Sequence, residues 1–464
     1  MKPAKKSVHL KRRGAVLIIS MIFILIFSAL AVSMATLSDT NVQLASNQHK
    51  VNSALLAAQS GLDITRFWLN RVLISGKTNP ADRFQLIIAS LNNDLQENGI
   101  SNISTYSDGS SVIIPSVPLD LEAQQSFSAT ITPIDVDTCR VDVTGQCGSI
   151  TRTIRVIYQF DETANTVFDF GVATKGPLSL SGNIELDGVN VSVDASVYIE
   201  SENSNLALSI IGNSQIAGDV KIVNPIASVN LQGGQAGIGG ETGTDAIDNH
   251  VEFGVPPSSF PEPNPGDFAA YATNILDPNT DTSADATFEN LKIPAGLNPT
   301  FSGNVTLKGI VFIEPPNVVT FTGTTDVTAI IVGNGSIEEE SVTNQLIFLG
   351  TVNSNSVNQL PNEEQFEEIR SQTGTFVMAP GFQLSFGGDF ETISGAIAGS
   401  GITFSGNAGG TIQGSVINYS GEQMDLSGNS DLYFNRSGVT ECPAGFVPEL
   451  VLLYNPESYS EVTL

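Results

Sequence analysis

The chain has 464 residues, of which 7% are aromatic and 15% charged, whereas ordinary soluble domains carry roughly 25% charged residues. Its 43 glycines, with many Asn, Ser, Thr, Val and Ile, suit short strands and tight turns better than helix bundles. The net charge is −28, and six of the 20 bases (Lys2, Lys5, Lys6, Lys11, Arg12 and Arg13) fall in the first thirteen residues. The remainder therefore carries 14 − 48 = −34, which argues against nucleic acid as a partner because nothing balances the phosphates. Three Cys and three His argue against a zinc framework or a disulfide scaffold.

In chain order, the first element is a membrane-spanning helix. No charge occurs from Gly14 to Ser38, and Ala15–Met34 forms a helix of about 30 Å, enough to cross a bilayer. The run is too long for a cleaved secretory signal. The basic cluster before it predicts a cytoplasmic N-terminus and a body on the far side. Residues 37–75 hold no Pro and a single Gly, Gly61. Leu37, Leu44, Val51 and Ala58 form one seven-residue row, and Leu55, Leu62 and Leu69 a second. The spacing predicts one helix from about Ala15 to about Ser75, ended by Gly76 and Pro80. Leu55 onward is expected to cover the protein's own sheet. Leu37, Leu44 and Val51 lie too close to the membrane to reach it and are left for neighbouring helices.

The leader ending in Arg12-Arg13-Gly14, the uniform apolar stretch and the phrase LLAAQSGLD resemble the N-terminal domain of type IV pilin-like proteins. The nearest types are the PilX minor pilins and the K-type minor pseudopilin of type II secretion. The string Ala57–Leu62 is similar to the family's usual AAEAGL, with Gln59 in place of the acid. The resemblance covers about residues 12–75. It implies leader removal between Gly14 and Ala15, and packing of the apolar helix among other pilin-like subunits. Major pilins carry a Glu at the fifth mature position, which here is Ile19. This departure favours an initiating, tip or accessory role over that of a major pilin.

A further helix is expected over 82–98, stopped by Gly99. Three β runs follow at Gln125–Pro133, Thr138–Thr144 and Ser149–Phe160, with Thr144-Gly145-Gln146 as a turn. They predict a three-stranded meander on the distal half of the long helix, within a small α+β unit spanning 76–165. Cys139 and Cys147 flank this turn. In an oxidising compartment they either pair or stay as two thiols, depending on register. Cys442 is left over.

After Phe168 a short phrase recurs: LSGN at Leu180, IGN at Ile211, FSGN at Phe301, FTG at Phe321, FGG at Phe386, FSGN at Phe404 and LSGN at Leu426. Steps of 20, 19 and 22 residues separate Gly303 from Gly323, Gly387 from Gly406 and Gly406 from Gly428. Short strands closing every ~20 residues predict a parallel β-helix over 166–440, right-handed by the crossover rule. A surface insertion is expected at about 232–292, with a helical turn near Phe268–Ile275, and a C-terminal tail over 441–464. The fold class is thus mainly β with a long N-terminal helix. It comprises a pilin-like transmembrane helix, a small antiparallel sheet and the β-helix.

No catalytic or cofactor constellation emerges. Asp187, Asp194 and Asp219 are scattered, Asp389 and Glu391 have no basic neighbour in sequence, and His250 falls in the insertion. The alternating oxygens of Asp277, Asn279, Asp281, Ser283 and Asp285 resemble the start of an EF-hand. Thr282 and Phe288 replace the Gly and Glu that such a loop requires, so no metal is assigned. The Glu338–Glu340 and Glu363–Glu368 runs are expected to be solvated loops. The resulting expectation is a non-enzymatic, single-pass bacterial inner-membrane protein with its body on the periplasmic or extracellular side. It would be a minor pilin-like structural or accessory subunit of a type IV pilus or type II secretion-like filament, displaying a β-helical ectodomain. Its partners would be other pilin-like subunits, the inner membrane, and envelope or extracellular polysaccharide. The alternative is a membrane-anchored β-helix that binds or cleaves polysaccharide.

Overall fold

The computed structural model describes residues 13–201, 204–338, 343–436 and 442–462. The chain forms two compact units, one of residues 1–74, 78–161 and 451–464, the other of 75–77 and 162–450. The second is inserted in the chain between two strands of the first unit's sheet.

In the first unit, helix α1 (Arg13–Leu69) is followed by β1 (Ile74–Ser75), α2 (Arg83–Glu97), β2 (Tyr106–Ser107), β3 (Val112–Asp120), β4 (Gln125–Pro133), β5 (Thr138–Cys147) and β6 (Ile150–Thr163). α1 stops at Leu69, not Ser75. Arg71 and Val72 N–H donate to the carbonyls of Trp68 and Leu69, at 3.2 Å each, tightening the last turn. Ile74 is then buried as an edge strand of the sheet. α2 spaces Ile87, Leu91 and Leu95 four apart on its buried face and ends at Glu97, with Gly99 just beyond its C-cap Asn98 at a φ of 73°.

The meander β4–β5–β6 is present, within a seven-stranded sheet. Residues 449–462 are not a tail: Glu449–Val462 is a strand lying between β1 and β6. The expected turn at Thr144–Gln146 is also displaced. β5 runs on through Gly145 to Cys147 because Gly145 lies beneath α1. A Cβ there would overlap the Ala54 carbonyl and the Ala58 amide.

This continuation decides the cysteine question. Cys139 and Cys147 sit on one face of one strand, eight residues apart. At about 3.3 Å per residue their Cα atoms are some 26 Å apart, far beyond disulfide reach. All three cysteines are free thiols.

The second unit is a three-sided coil of parallel strands, the geometry of a parallel β-helix. A full turn contributes one strand to each of three sheets, as in Val172–Thr174, Leu178–Gly182 and Glu185–Gly188, whereas the turns begun by Ala286–Ile293, Val305–Ile313 and Thr325–Gly333 add none to the third. Turns do not stack in chain order. The coil starts in its own middle and winds to one end at Val251–Phe253. It then restarts at the other end with Asn274–Ile275 and Ala286–Ile293, and winds back until its last turn pairs with its first. At that seam Val416 aligns with Val172, Leu426 with Leu180 and Leu432 with Leu186. The two LSGN phrases, 246 residues apart in sequence, are thus neighbours in space. A Cβ at Gly182, which has a φ of 128°, would overlap the Gly428 carbonyl oxygen.

The expected 232–292 insertion shrinks accordingly. Gly237–Ile238 and Val251–Phe253 are coil strands, bridged by helix α3 (Gly243–His250). Residues 254–273 carry the chain back across the outer face of the first sheet, where Phe260, Phe268 and Ala272 pack. Near Phe268 the chain makes a 3₁₀ turn, Pro265–Phe268, and then the strand Asn274–Ile275, not the expected helical turn. The Glu363–Glu368 stretch also lies on this face, with Phe366 and Ile369 fully buried. Of the other acidic run, only Glu338 is among the described residues.

These covers explain the strand sequences. First-sheet strands such as Thr375–Ala379 and Ala396–Gly399 are buried on both faces and read as nearly continuous apolar runs. Second-sheet strands such as Gln345–Phe348 and Gln383–Phe386 alternate buried and half-buried residues. Inside the coil, Phe301, Phe321, Phe348, Phe386 and Phe404 occupy one column in register. Their rings stack at centroid distances of 4.9–5.2 Å and interplanar angles of 9–13°. The column continues through Leu426, Leu180 and Ile210, so the recurring phrase marks an inward corner, with Ile210 and not the exposed Ile211 holding that place in its turn.

Candidate assembly interface

α1 divides sharply. From Val16 to Lys50 every side chain is exposed, over about 50 Å of helix. Burial begins at Ser53, and Ala54, Ala57, Ala58, Leu62, Thr65, Trp68 and Leu69 are then enclosed against the sheet. The docked half is held by backbone proximity. Gly145 on β5 lets the Ala54–Ala58 backbone approach, and Gly61 leaves room for the Phe127 ring, whose Cγ would lie 2.5 Å from a Cβ there. The small residues of the AAQSGL phrase are therefore the surface by which the helix meets its own sheet. Trp68 and Phe127 rings lie 6.3 Å apart, and the Arg66 guanidinium sits 5.1 Å from the Tyr454 ring. Arg71 pairs with Asp94 of α2 at 2.8 Å.

The sheet's other face is polar. Asp142 accepts two hydrogen bonds from Arg155, at 2.6 and 3.2 Å, and pairs with Arg140 at 3.0 Å. Burial pushes the Cys139 thiol up to about 12, so it is an inert core residue and not a nucleophile.

The exposed half is long and apolar enough to cross a membrane, and none of its apolar stretch is buried within the chain. Two of the serine hydroxyls inside it are already satisfied. Ser20 Oγ donates to the Leu17 carbonyl and Ser33 Oγ to the Ala29 carbonyl, both at 2.9 Å, which removes most of the cost of placing them in hydrocarbon. Leu37 and Leu44, beyond the span, are 63% and 64% exposed. Ile19 is likewise exposed. The leader residues 1–12 lie outside the described residues. Gly14 and Ala15 are placed as backbone in the first turn of α1.

The carboxylates of the acidic loop are engaged within the chain. Asp277 accepts from Asn279 N–H and Nδ2 at 2.7 and 2.9 Å. Asp281 accepts from Ser283 N–H and Oγ at 3.0 and 2.6 Å. These bonds hold both carboxyls below their usual range. Asp285 turns to the Asn304 amide at 2.8 Å. Among the described residues, no three His, Cys, Asp or Glu side chains converge to hold a metal.

Pairings invisible in the sequence fix the coil. His250 Nδ1 lies 2.8 Å from Asp219. Arg436 pairs with Asp194 at 3.5 Å and donates to the Phe168 carbonyl at 3.1 Å. Their partners are 31 and more than 200 residues away, and no local signal could have found them.

Residues 13–63 match the family described as PilX N-terminal, and this segment is a PilX-type N-terminal domain. The match spans both the exposed stretch and the docking phrase. No curated protein matches the chain. Among solved structures, the chain is similar to the competence-associated pilin ComZ from Thermus thermophilus, at 10% identity over 89% of this chain and 98% of that one. The TM-score is 0.28, too low to support an argument about the fold.

Proposed function

We propose that this protein is an accessory, minor pilin-like subunit of a type IV pilus or related secretion filament. The observation that carries this reading is the exposed, unpartnered apolar half of α1, continuous with a docked half and matched to PilX-type N-termini. A passive anchor needs hydrophobicity only within the bilayer, whereas here Leu37, Leu44 and Val42 extend the apolar surface beyond it. A surface of that size in water calls for partners, and helices of the same kind supply them. The leader is removed between Gly14 and Ala15, the body lies outside the cytoplasm, and the coil is the part displayed. Ile19, in place of a carboxylate, suits a subunit at a filament end or tip. The role is structural, not enzymatic.

The N-terminal sequence of the chain extracted from membranes tests this. A start at Ala15 is expected, with a bulky residue at Gly14 leaving the leader attached. A start at Met1, or near Met34, contradicts the reading.

A further inference from the structure

We propose that the outer face of the coil's third sheet binds a neutral glycan chain lying along the coil axis. The site is built from side chains repeated on consecutive turns. Thr392, Thr411, Tyr433 and Asp187 stand in one register column, with Leu432, Phe434, Ile412 and Ile393 pointing the other way into the core. A parallel column follows at Ser394, Gln413 and Asn435. It is held by Gln413 N–H donating to the Ile393 carbonyl and Asn435 N–H to the Ile412 carbonyl, at 2.8 and 2.9 Å.

At one end the face deepens into a groove of about 360 Å³, lined by Asn353–Ser356, Gln359, Glu391, Thr392, Ser394 and Gln413. The groove is ordered by its own hydrogen bonds. Ser354 and Ser394 hydroxyls are 2.7 Å apart, and Asn353 Nδ2 donates to Asp326 at 2.8 Å. Asn355, Gln359 and Gln413 are exposed, leaving amide donors and acceptors for a ligand.

Three features name the ligand class. The groove offers paired donors and acceptors in amides and hydroxyls, which is what a polyhydroxylated chain presents in return. Successive turns are about 4.8 Å apart, comparable to the length of one pyranose unit, so a glycan along the axis meets a further polar or aromatic side chain of the same column at each sugar. One turn beyond the groove, Tyr433 adds a half-exposed ring, fixed by its hydroxyl donating to Glu185 at 3.2 Å. Such a ring can stack on a sugar face.

Charge sets the sign. Among the described residues no lysine or arginine lines the groove, and Glu391, Glu185 and Asp431 border the face. The adjacent Arg436 is committed to Asp194 and to backbone carbonyls. A uronic-acid polymer would be repelled; a neutral one would not. This proposal is independent of the filament reading, since binding is measured on the isolated chain.

The test is calorimetric titration of the full chain, in a detergent without sugar headgroups, with cellohexaose, laminarihexaose and chitohexaose. Hexagalacturonate is the anionic comparison. At least one neutral hexaose is expected to bind saturably, and hexagalacturonate more weakly. Gln413→Ala and Tyr433→Ala should each weaken binding about five- to tenfold, the scale of one lost hydrogen bond or stack. Tyr433→Phe, which keeps the ring, should retain most of it. Circular dichroism establishes that the variants fold. Three results would overturn the proposal: no binding of any neutral hexaose, equal or tighter binding of hexagalacturonate, or binding unchanged in both alanine variants.

Discussion

The two halves of α1 are alike in helical continuity and opposite in fate. Leu62 is 7% exposed and Leu69 fully buried, while Leu37 and Leu44, of the other seven-residue row, lie open. What changes along the helix is side-chain size. Where α1 meets the sheet it places Ala54, Ala57, Ala58 and Gly61 toward the strands, and β5 answers with Gly145, so that backbones rather than side chains touch. Where it leaves the sheet, large apolar residues return. Small residues let the helix backbone reach the protein's own sheet, with Leu62, Trp68 and Leu69 buried beside them, while the large apolar residues of the other half lie open.

The sharpest way to break this comparison is to truncate one leucine in each half. Leu62→Ala should cost about 2–5 kcal/mol, as for other buried leucines. Leu37→Ala should change stability by no more than about 0.5 kcal/mol. Thermal unfolding of the full chain in detergent reads both, and similar losses at the two sites would erase the distinction.

The close approach can be tested separately. Gly145→Val places methyl groups where the Ala54 carbonyl and Ala58 amide sit, and should destabilise the first unit by about 1–3 kcal/mol or more. The neighbouring exposed position Gln146→Val is the control and should be nearly neutral. Equal effects would mean that α1 does not bear on Gly145.

A smaller effect distinguishes the halves by chemistry. Cys139 lies beneath the docked half with its thiol raised to about 12 by burial. A raised thiol pKa keeps the unreactive protonated form, so raising the solution to about pH 9 should not expose Cys139 to alkylation. A cysteine introduced by Leu44→Cys, being solvent-facing, should react faster as pH rises toward its ordinary value of about 8.5. Intact mass with and without reductant should be identical for the unaltered chain, because Cys139 and Cys147 occupy opposite ends of β5.

Much of this was legible in local sequence. The uncharged stretch, the two leucine rows and the AAQSGL phrase placed α1 and its division near Ser53. The recurring corner phrase marked the coil, because each turn repeats the same inward Phe or Leu. The misreadings arose where distant segments decide. Gly145 looks like a turn residue until a helix crosses it, and once β5 continues, the cysteine pairing becomes impossible. The strand Glu449–Val462 depends on a sheet edge nearly 300 residues upstream. The return segment 254–273 resembled an insertion because nothing local says that the coil begins in its own middle. The glutamates of Glu363–Glu368 are exposed as expected, and only Phe366 among them turns inward. The columns of the third sheet were missed because their members, two per turn, gain meaning only when the turns are stacked.

The central claim is that the undocked half of α1 is a partner-binding surface. Leu37→Ser with Leu44→Ser, leaving residues 15–34 intact, tests it most directly, read by co-purification of the chain with other pilin-like subunits from membranes. The account predicts unchanged membrane insertion and folding, with co-purification lost. If co-purification survives these substitutions, or survives exchange of residues 15–34 for an unrelated membrane span, the helix is only an anchor and the protein is not a filament subunit.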